Sequence, residues 1–213
     1  MNEYLILKLQ GVMQAWGSHT YEDYRPSEIF PTRSGIVGLL AACAGFKHED
    51  KKQIKSLNDA IEISVRADQI DNRSSGKLLD YHTILDARKA DGKVNDNAIQ
   101  SYREYLMDSS FTVALFAKDK VNINIDQLSD WIKKPVFTPY LGRKSCPIGR
   151  PLWQNVIQAK NCSEALKKIS PAKGTIFTEE KLNLDLPMLQ IRDVSISSNV
   201  RQFSTRKVYV LNE

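Results

Sequence analysis

The chain has 213 residues, 42% hydrophobic and 26% charged, and its 30 Lys and Arg against 25 Asp and Glu give a net charge of +5. That balance excludes a disordered chain and leaves room for one large domain or two small ones around a proper core. No apolar run reaches the roughly 18 residues of a membrane span, residues 36–46 being the longest candidate, and the N-terminal residues lack a basic leader, so a cytoplasmic protein is expected, away from any membrane.

Residues 4–9 are apolar on both faces, as in a central buried strand. A stretch rich in Gly, Pro and aromatic residues follows to Pro31. Residues 35–45 then read as a helix, opened by Thr32 or Ser34 as N-cap and closed by Gly45. Ile61, Ile63, Val65 and Ala67 alternate with polar residues, which predicts a half-buried strand. Residues 70–110 are too long for a tight turn, and turn signals at Asp71-Asn72, Ser75-Gly76 and Asp91-Gly92 suggest an extended hairpin. Residues 111–117 form another buried strand. Leu128, Trp131 and Ile132 mark a helix with Asp126 as cap, stopped by Pro135. A short helix over 163–169 and strand-like pieces near 175–177, 187–194 and 207–211 complete the chain. The order strand, helix, strand, strand, helix is an α+β pattern, and one further strand would make it ferredoxin-like, as in RNA-recognition (RRM-like) modules. That strand has no clear place in the sequence. The division expected is a domain at 1–150, with the hairpin at about 70–110, and a small β-rich subdomain at 151–213.

Three cysteines (Cys43, Cys146, Cys162) and three histidines (His19, His48, His82) are widely scattered, so no metal site or cofactor is expected. Cys146 reads as a small buried residue rather than a nucleophile. The basic charge is clustered. Lys133, Lys134, Arg143, Lys144 and Arg150 lie in a stretch without an acid, and Arg192, Arg201, Arg206 and Lys207 face only Asp193. Such clustering suits a site that tracks a nucleic-acid backbone.

Several blocks, in order along nearly the whole chain, resemble the CasD family of type I-E CRISPR systems: Met13-Gln-Ala-Trp-Gly17, Phe30-Pro-Thr-Arg-Ser-Gly35, Asp80-Tyr-His-Thr83, Tyr102-Arg-Glu-Tyr-Leu106, Thr138-Pro-Tyr-Leu-Gly-Arg-Lys-Ser-Cys-Pro147 and Arg201-Gln-Phe203. The resemblance implies a ferredoxin-like domain with a protruding β-hairpin thumb and a small C-terminal β subdomain. It further implies binding to the 5′ handle of the CRISPR RNA, contact with the backbone subunit CasC and the large subunit CasA, and membership of a Cascade complex that also holds CasB and CasE and meets target DNA. Catalysis is not implied, because CasE cuts the precursor RNA.

On this reading the RNA-contacting candidates are Trp16, Arg25, Arg33, Ser34, Tyr81, His82, Arg103, Tyr140, Arg143, Lys144, Arg201 and Arg206. Arg33 and Ser34 stand at a helix N-terminus, where unpaired N–H groups favour an anion; the plain alternative is an ordinary cap with a solvated arginine. Tyr140, Arg143 and Lys144 combine a ring and two cations in a turn, or else make a solvated basic loop. Trp16 is a stacking ring or a core anchor. Tyr81 and His82 raise the rival reading of a metal-independent endoribonuclease, since its chemistry needs one group to take the 2′-OH proton and another to protonate the leaving oxygen. A third reading is a structural adaptor that meets acidic proteins.

Overall fold

The structure, a computed structural model, describes residues 1–69, 76–89, 91–118, 123–182, 185–195 and 202–212. The first strand, β1 (Asn2–Gln10), leads into four short strands: β2 (Met13–Gln14), β3 (Trp16–Gly17), β4 (Tyr24–Arg25) and β5 (Ser27–Glu28). Two helices follow, α1 (Arg33–Ala44) and α2 (Lys51–Ala60), then β6 (Ile61–Asp68), β7 (Lys77–Ile84), β8 (Ile99–Met107) and β9 (Ser110–Ala117). The chain continues through α3 (Ile125–Lys133), β10 (Trp153–Ala159), α4 (Cys162–Lys167), β11 (Gly174–Thr178), β12 (Met188–Ser195) and β13 (Phe203–Asn212).

Seven strands make one sheet in the order β10-β1-β9-β6-β11-β13-β12, antiparallel throughout. Beside β1 lies a strand that the sequence did not reveal, β10, which follows α3. Leu5, Leu7 and Leu9 of β1 join Ile63, Val65, Val113 and Leu115 in a core with α1 and α3 on one face. Tyr4 and Ile6 point the other way and pack with Cys162, Ala165 and Leu166 of α4. Burial on both faces is why β1 is apolar without alternation.

The same two-sided cover corrects the reading of β6 as half-buried. Arg66 is fully buried and Ser64 nearly so. Arg66 donates from Nη1 to the Leu166 carbonyl at 2.6 Å and from Nη2 to the Ile169 carbonyl at 3.0 Å, so it holds one carbonyl in the last turn of α4 and one just beyond it. Its Nε meets Asp68 at 2.8 Å, and the same carboxylate takes the Lys8 ammonium at 2.8 Å and the hydroxyls of Thr112 and Ser110. Arg66 and Asp68, which read as part of a solvent face, belong to a satisfied ionic network under α4.

Helix α1 begins as expected: the Thr32 side chain accepts from Gly35 N, and Gly45 closes it in the left-handed region at φ 80°. Helix α3 is capped by Asn124, with Asp126 in its first turn where a carboxylate favours the helix dipole. Helix α2 was not anticipated, because only Ile54, Leu57 and Ala60 mark its apolar side and half of its residues are exposed. Strands β11, β12 and β13 fall where the late strand-like pieces were expected, but they extend the main sheet from β6. No boundary at residue 150 separates the sheet, since residues 151–213 supply β10 at one end and three strands at the other.

The hairpin expected at 70–110 is present: all eight residues of β7 pair with β8, and Gly92 takes the turn conformation at φ 82°. A lone two-stranded hairpin is marginal in water. This one is braced at its base by β2, antiparallel to β8 at Met107 and Leu106, and by β4, parallel to β8 at Tyr102 and Arg103.

Candidate nucleic-acid interface

Three of the recognisable sequence blocks meet at Trp16. Trp16 is fully buried. Its Nε1 donates to Gln14 Oε1 at 3.1 Å, and Gln14 in turn donates from Nε2 to the Ser109 carbonyl at 2.7 Å. Gly35 lies so close that a Cβ there would sit 2.7 Å from Cε3 of the indole. Gly142, at φ 88°, leaves no space for a Cβ against the Ala15 carbonyl. The blocks around Trp16, Gly35 and Gly142 thus share a packing reason, and Trp16 is a core anchor rather than an exposed ring.

Arg33 is corrected in the same way. It is 6% exposed, and its guanidinium meets Glu179 at 2.6 Å and Asn58 Oδ1 at 3.0 Å. Its backbone N–H donates to Asp193 Oδ2 at 2.7 Å, so a carboxylate of the chain itself fills the anion position expected at the α1 N-terminus. Arg206 clamps that carboxylate with two bonds of 2.7 and 2.8 Å and also reaches Glu179 at 3.0 Å. Arg33 and Arg206 therefore tie β13 to α1, and neither presents a free charge to a ligand. Ser34 is half-buried beside them. Arg201 lies outside the described residues.

The remaining candidates gather at the base of the hairpin. Arg25 and Arg103 are register partners on the parallel β4–β8 pair, which sets them on one face. Arg103 Nε donates to Ser101 Oγ at 3.0 Å. Arg143 comes to them from the 140–147 turn: it donates from Nη2 to the Arg25 carbonyl at 3.0 Å and from Nη1 to the Glu104 carbonyl at 3.3 Å, and it stacks over the Tyr105 ring at 4.9 Å. Lys144 follows it, exposed, and Tyr140 is half-buried where it bridges to Pro147. Three arginines from three separate stretches are brought together, and a carboxylate, Asp80, stands across from Arg103 in the register.

Tyr81 and His82 are neighbours on β7, so alternation turns them to opposite faces. Tyr81 is opposite Tyr102, and His82 is opposite Ser101 with its Nδ1 3.6 Å from Asp80. Sequence reasoning gave Tyr24 no role, yet its ring lies 6.5 Å from that of Tyr102, which is 5.3 Å from that of Tyr81. Its hydroxyl bonds to Glu104, which raises the Tyr24 pKa. Burial works to raise the Glu104 carboxyl, but the donors Ser27 N, Lys77 and Tyr24 outweigh it and hold the group below its usual range. Cys146 is buried as expected, and burial pushes its thiol up, away from the reactive thiolate. Burial likewise lifts Cys43 to about 11 and Cys162 to about 12. Among the described residues no cluster of His, Cys, Asp and Glu could hold a metal ion, and no helix is long and apolar enough to cross a membrane.

With this geometry in place, comparison with known proteins is direct. The family model described as CRISPR-associated protein (Cas_Cas5) matches residues 4–209, and the chain belongs to that family. Within it, the Escherichia coli (strain K12) protein named CRISPR system Cascade subunit CasD is 42% identical over 216 residues, covering 99% of this chain and 96% of the relative. Among solved structures, a chain of a CRISPR RNA-guided surveillance complex superposes with a TM-score of 0.70 at 24% identity, covering 98% of this chain and 89% of that one. A crystal structure of a Cas protein gives 0.68 at 25% identity, with 98% and 94% covered.

Proposed function

We propose that this chain is a non-catalytic subunit of a type I-E Cascade complex, which grips the 5′ handle of the CRISPR RNA with the base of its hairpin and joins the backbone subunit to the large subunit. The observation that carries the RNA contact is the convergence of Arg25, Arg103, Arg143 and Lys144 on the strands and turn that brace β8. Guanidinium groups fixed by backbone carbonyls keep donors free for phosphate at little further entropic cost. Tyr140, in the same turn as Arg143, and His82, on the Arg103 face of the hairpin, border this surface. The near full-length relation to a Cascade subunit supports the assembly, with CasC and CasA as direct partners, CasB and CasE in the same particle, target DNA met through the complex, and a cytoplasmic setting.

The strand order β10-β1-β9-β6, with α1 and α3 on one face, supports a ferredoxin-like unit whose β7–β8 hairpin is the thumb. The opposed directions of Tyr81 and His82 support a non-catalytic role, because an acid and a base must converge on one phosphate. The test is binding of handle RNA to the purified protein across a salt series. Affinity falls with log salt by about 0.7 units for each phosphate neutralised on a single strand, and Arg25→Ala with Lys144→Glu reduces both affinity and slope. A salt-independent affinity, or an unchanged one in that variant, overturns the RNA contact. Incubation with precursor RNA in EDTA leaves it intact; cleavage lost in His82→Ala would make the chain a ribonuclease instead.

A further inference from the structure

The hairpin has two chemically different faces, and the reading above uses one. Arg25, Arg103 and the ring of Tyr105 under Arg143 lie on one side. On the other, Tyr24 of β4, Tyr102 of β8 and Tyr81 of β7 stand side by side across three neighbouring strands. The first two rings are 6.5 Å apart and tilted by 32°, the second two 5.3 Å apart and tilted by 48°. They are 39%, 43% and 52% exposed, so all three ring systems face solvent. Glu104 sits on this face and fixes Tyr24 through its hydroxyl. Lys77 pairs with Glu104 at 3.1 Å, so the charge beside the rings is balanced and their flat faces are the binding feature.

We propose that Tyr24, Tyr102 and Tyr81 form a single stacking platform for unpaired bases of the guide RNA, separate from the cations that hold its phosphates. This rests on the RNA-binding reading and assigns the two faces of the hairpin different tasks: charge on one side, stacking on the other. Every base has a π-face, so the platform tolerates different base identities. Replacement by Leu keeps apolar area and removes the ring, which separates stacking from docking of an apolar protein surface.

The experiment uses handle RNAs that each carry one 2-aminopurine, a base whose fluorescence is quenched by stacking. The wild-type protein quenches at least one position. Tyr81→Leu with Tyr102→Leu restores that fluorescence and weakens binding about 5- to 100-fold with an unchanged salt slope, while Tyr81→Phe with Tyr102→Phe behaves as wild type and controls for folding. Absence of quenching, or a Leu variant with unaltered fluorescence and affinity, overturns the platform even if Arg25→Ala and Lys144→Glu still weaken binding. In that case the phosphate contact stands alone. If neither the Leu nor the cation variants change RNA binding, both readings fall. A Leu or Phe variant that loses a partner subunit while keeping its RNA affinity and quenching would make the rings a protein-docking surface and also overturn the platform.

Discussion

A guanidinium at the surface and one under it are the same letter in the sequence and opposite objects in the fold. Arg33 is held by Glu179, Asn58 and two carbonyls, and removing it leaves Glu179 buried without its partner. Breaking a buried pair costs about 3–5 kcal/mol. Arg33→Ala therefore lowers the midpoint of denaturant unfolding steeply, whereas Lys144→Ala leaves that midpoint unchanged and weakens RNA instead; equal effects on stability would refute the assignment. Glu62 gives a second residue-scale test. Burial, then the charges of Glu179 and Glu180, raise its pKa above the ordinary 4.5. The folded state thus keeps a proton that the unfolded chain has lost, and stability falls as pH rises through that window above 4.5. Glu62→Gln removes the loss: its melting temperature exceeds that of the wild type at pH 7, and the gap closes as the pH falls towards 4.5. A gap independent of pH would mean that the charge is not the cause.

At the scale of elements, the hairpin depends on what braces it. Arg143 bonds the carbonyls of Arg25 on β4 and Glu104 on β8 and covers Tyr105, so it is both fastener and cation. A lysine keeps the charge but lacks the planar fork. Arg143→Lys is expected to speed hydrogen exchange along residues 101–106 and to weaken RNA binding, while Arg143→Ala does more of both; full protection in the lysine variant would show that charge alone suffices. The hairpin itself was legible from its turn residues and spacing. Its bracing was not, because β2 and β4 are two-residue strands whose partners lie 78 or more residues away in sequence. The platform ring Tyr24 was missed for that reason: only its register against Tyr102 reveals it.

Across the whole molecule, one sheet runs through both parts of a chain that reads as two. A chain ended at Arg150 would lose β10 from the edge of β1 and β11 from the edge of β6, along with Phe177 and Val208 from the core. It is expected to show no cooperative melting transition; a sharp one would establish residues 1–150 as an independent domain. The Arg33, Glu179, Arg206 and Asp193 network joins the same distant segments and makes the late strands part of the fold that positions the hairpin.

Local rules sufficed wherever the cause was local. The apolar run of β1, the Thr32 and Gly45 caps of α1, the Asp91-Gly92 turn and the buried character of Cys146 each follow from a few neighbouring residues, and the motif blocks placed the chain in its family. Which arginines are free, which face of β6 is wet and where the last strand goes depend on groups more than 30 residues apart in the chain, as Arg66 with Leu166 and Arg33 with Glu179 illustrate. A charge is a ligand site or a structural tie according to what the folded chain sets against it, and that opposition exists only once the sheet has closed.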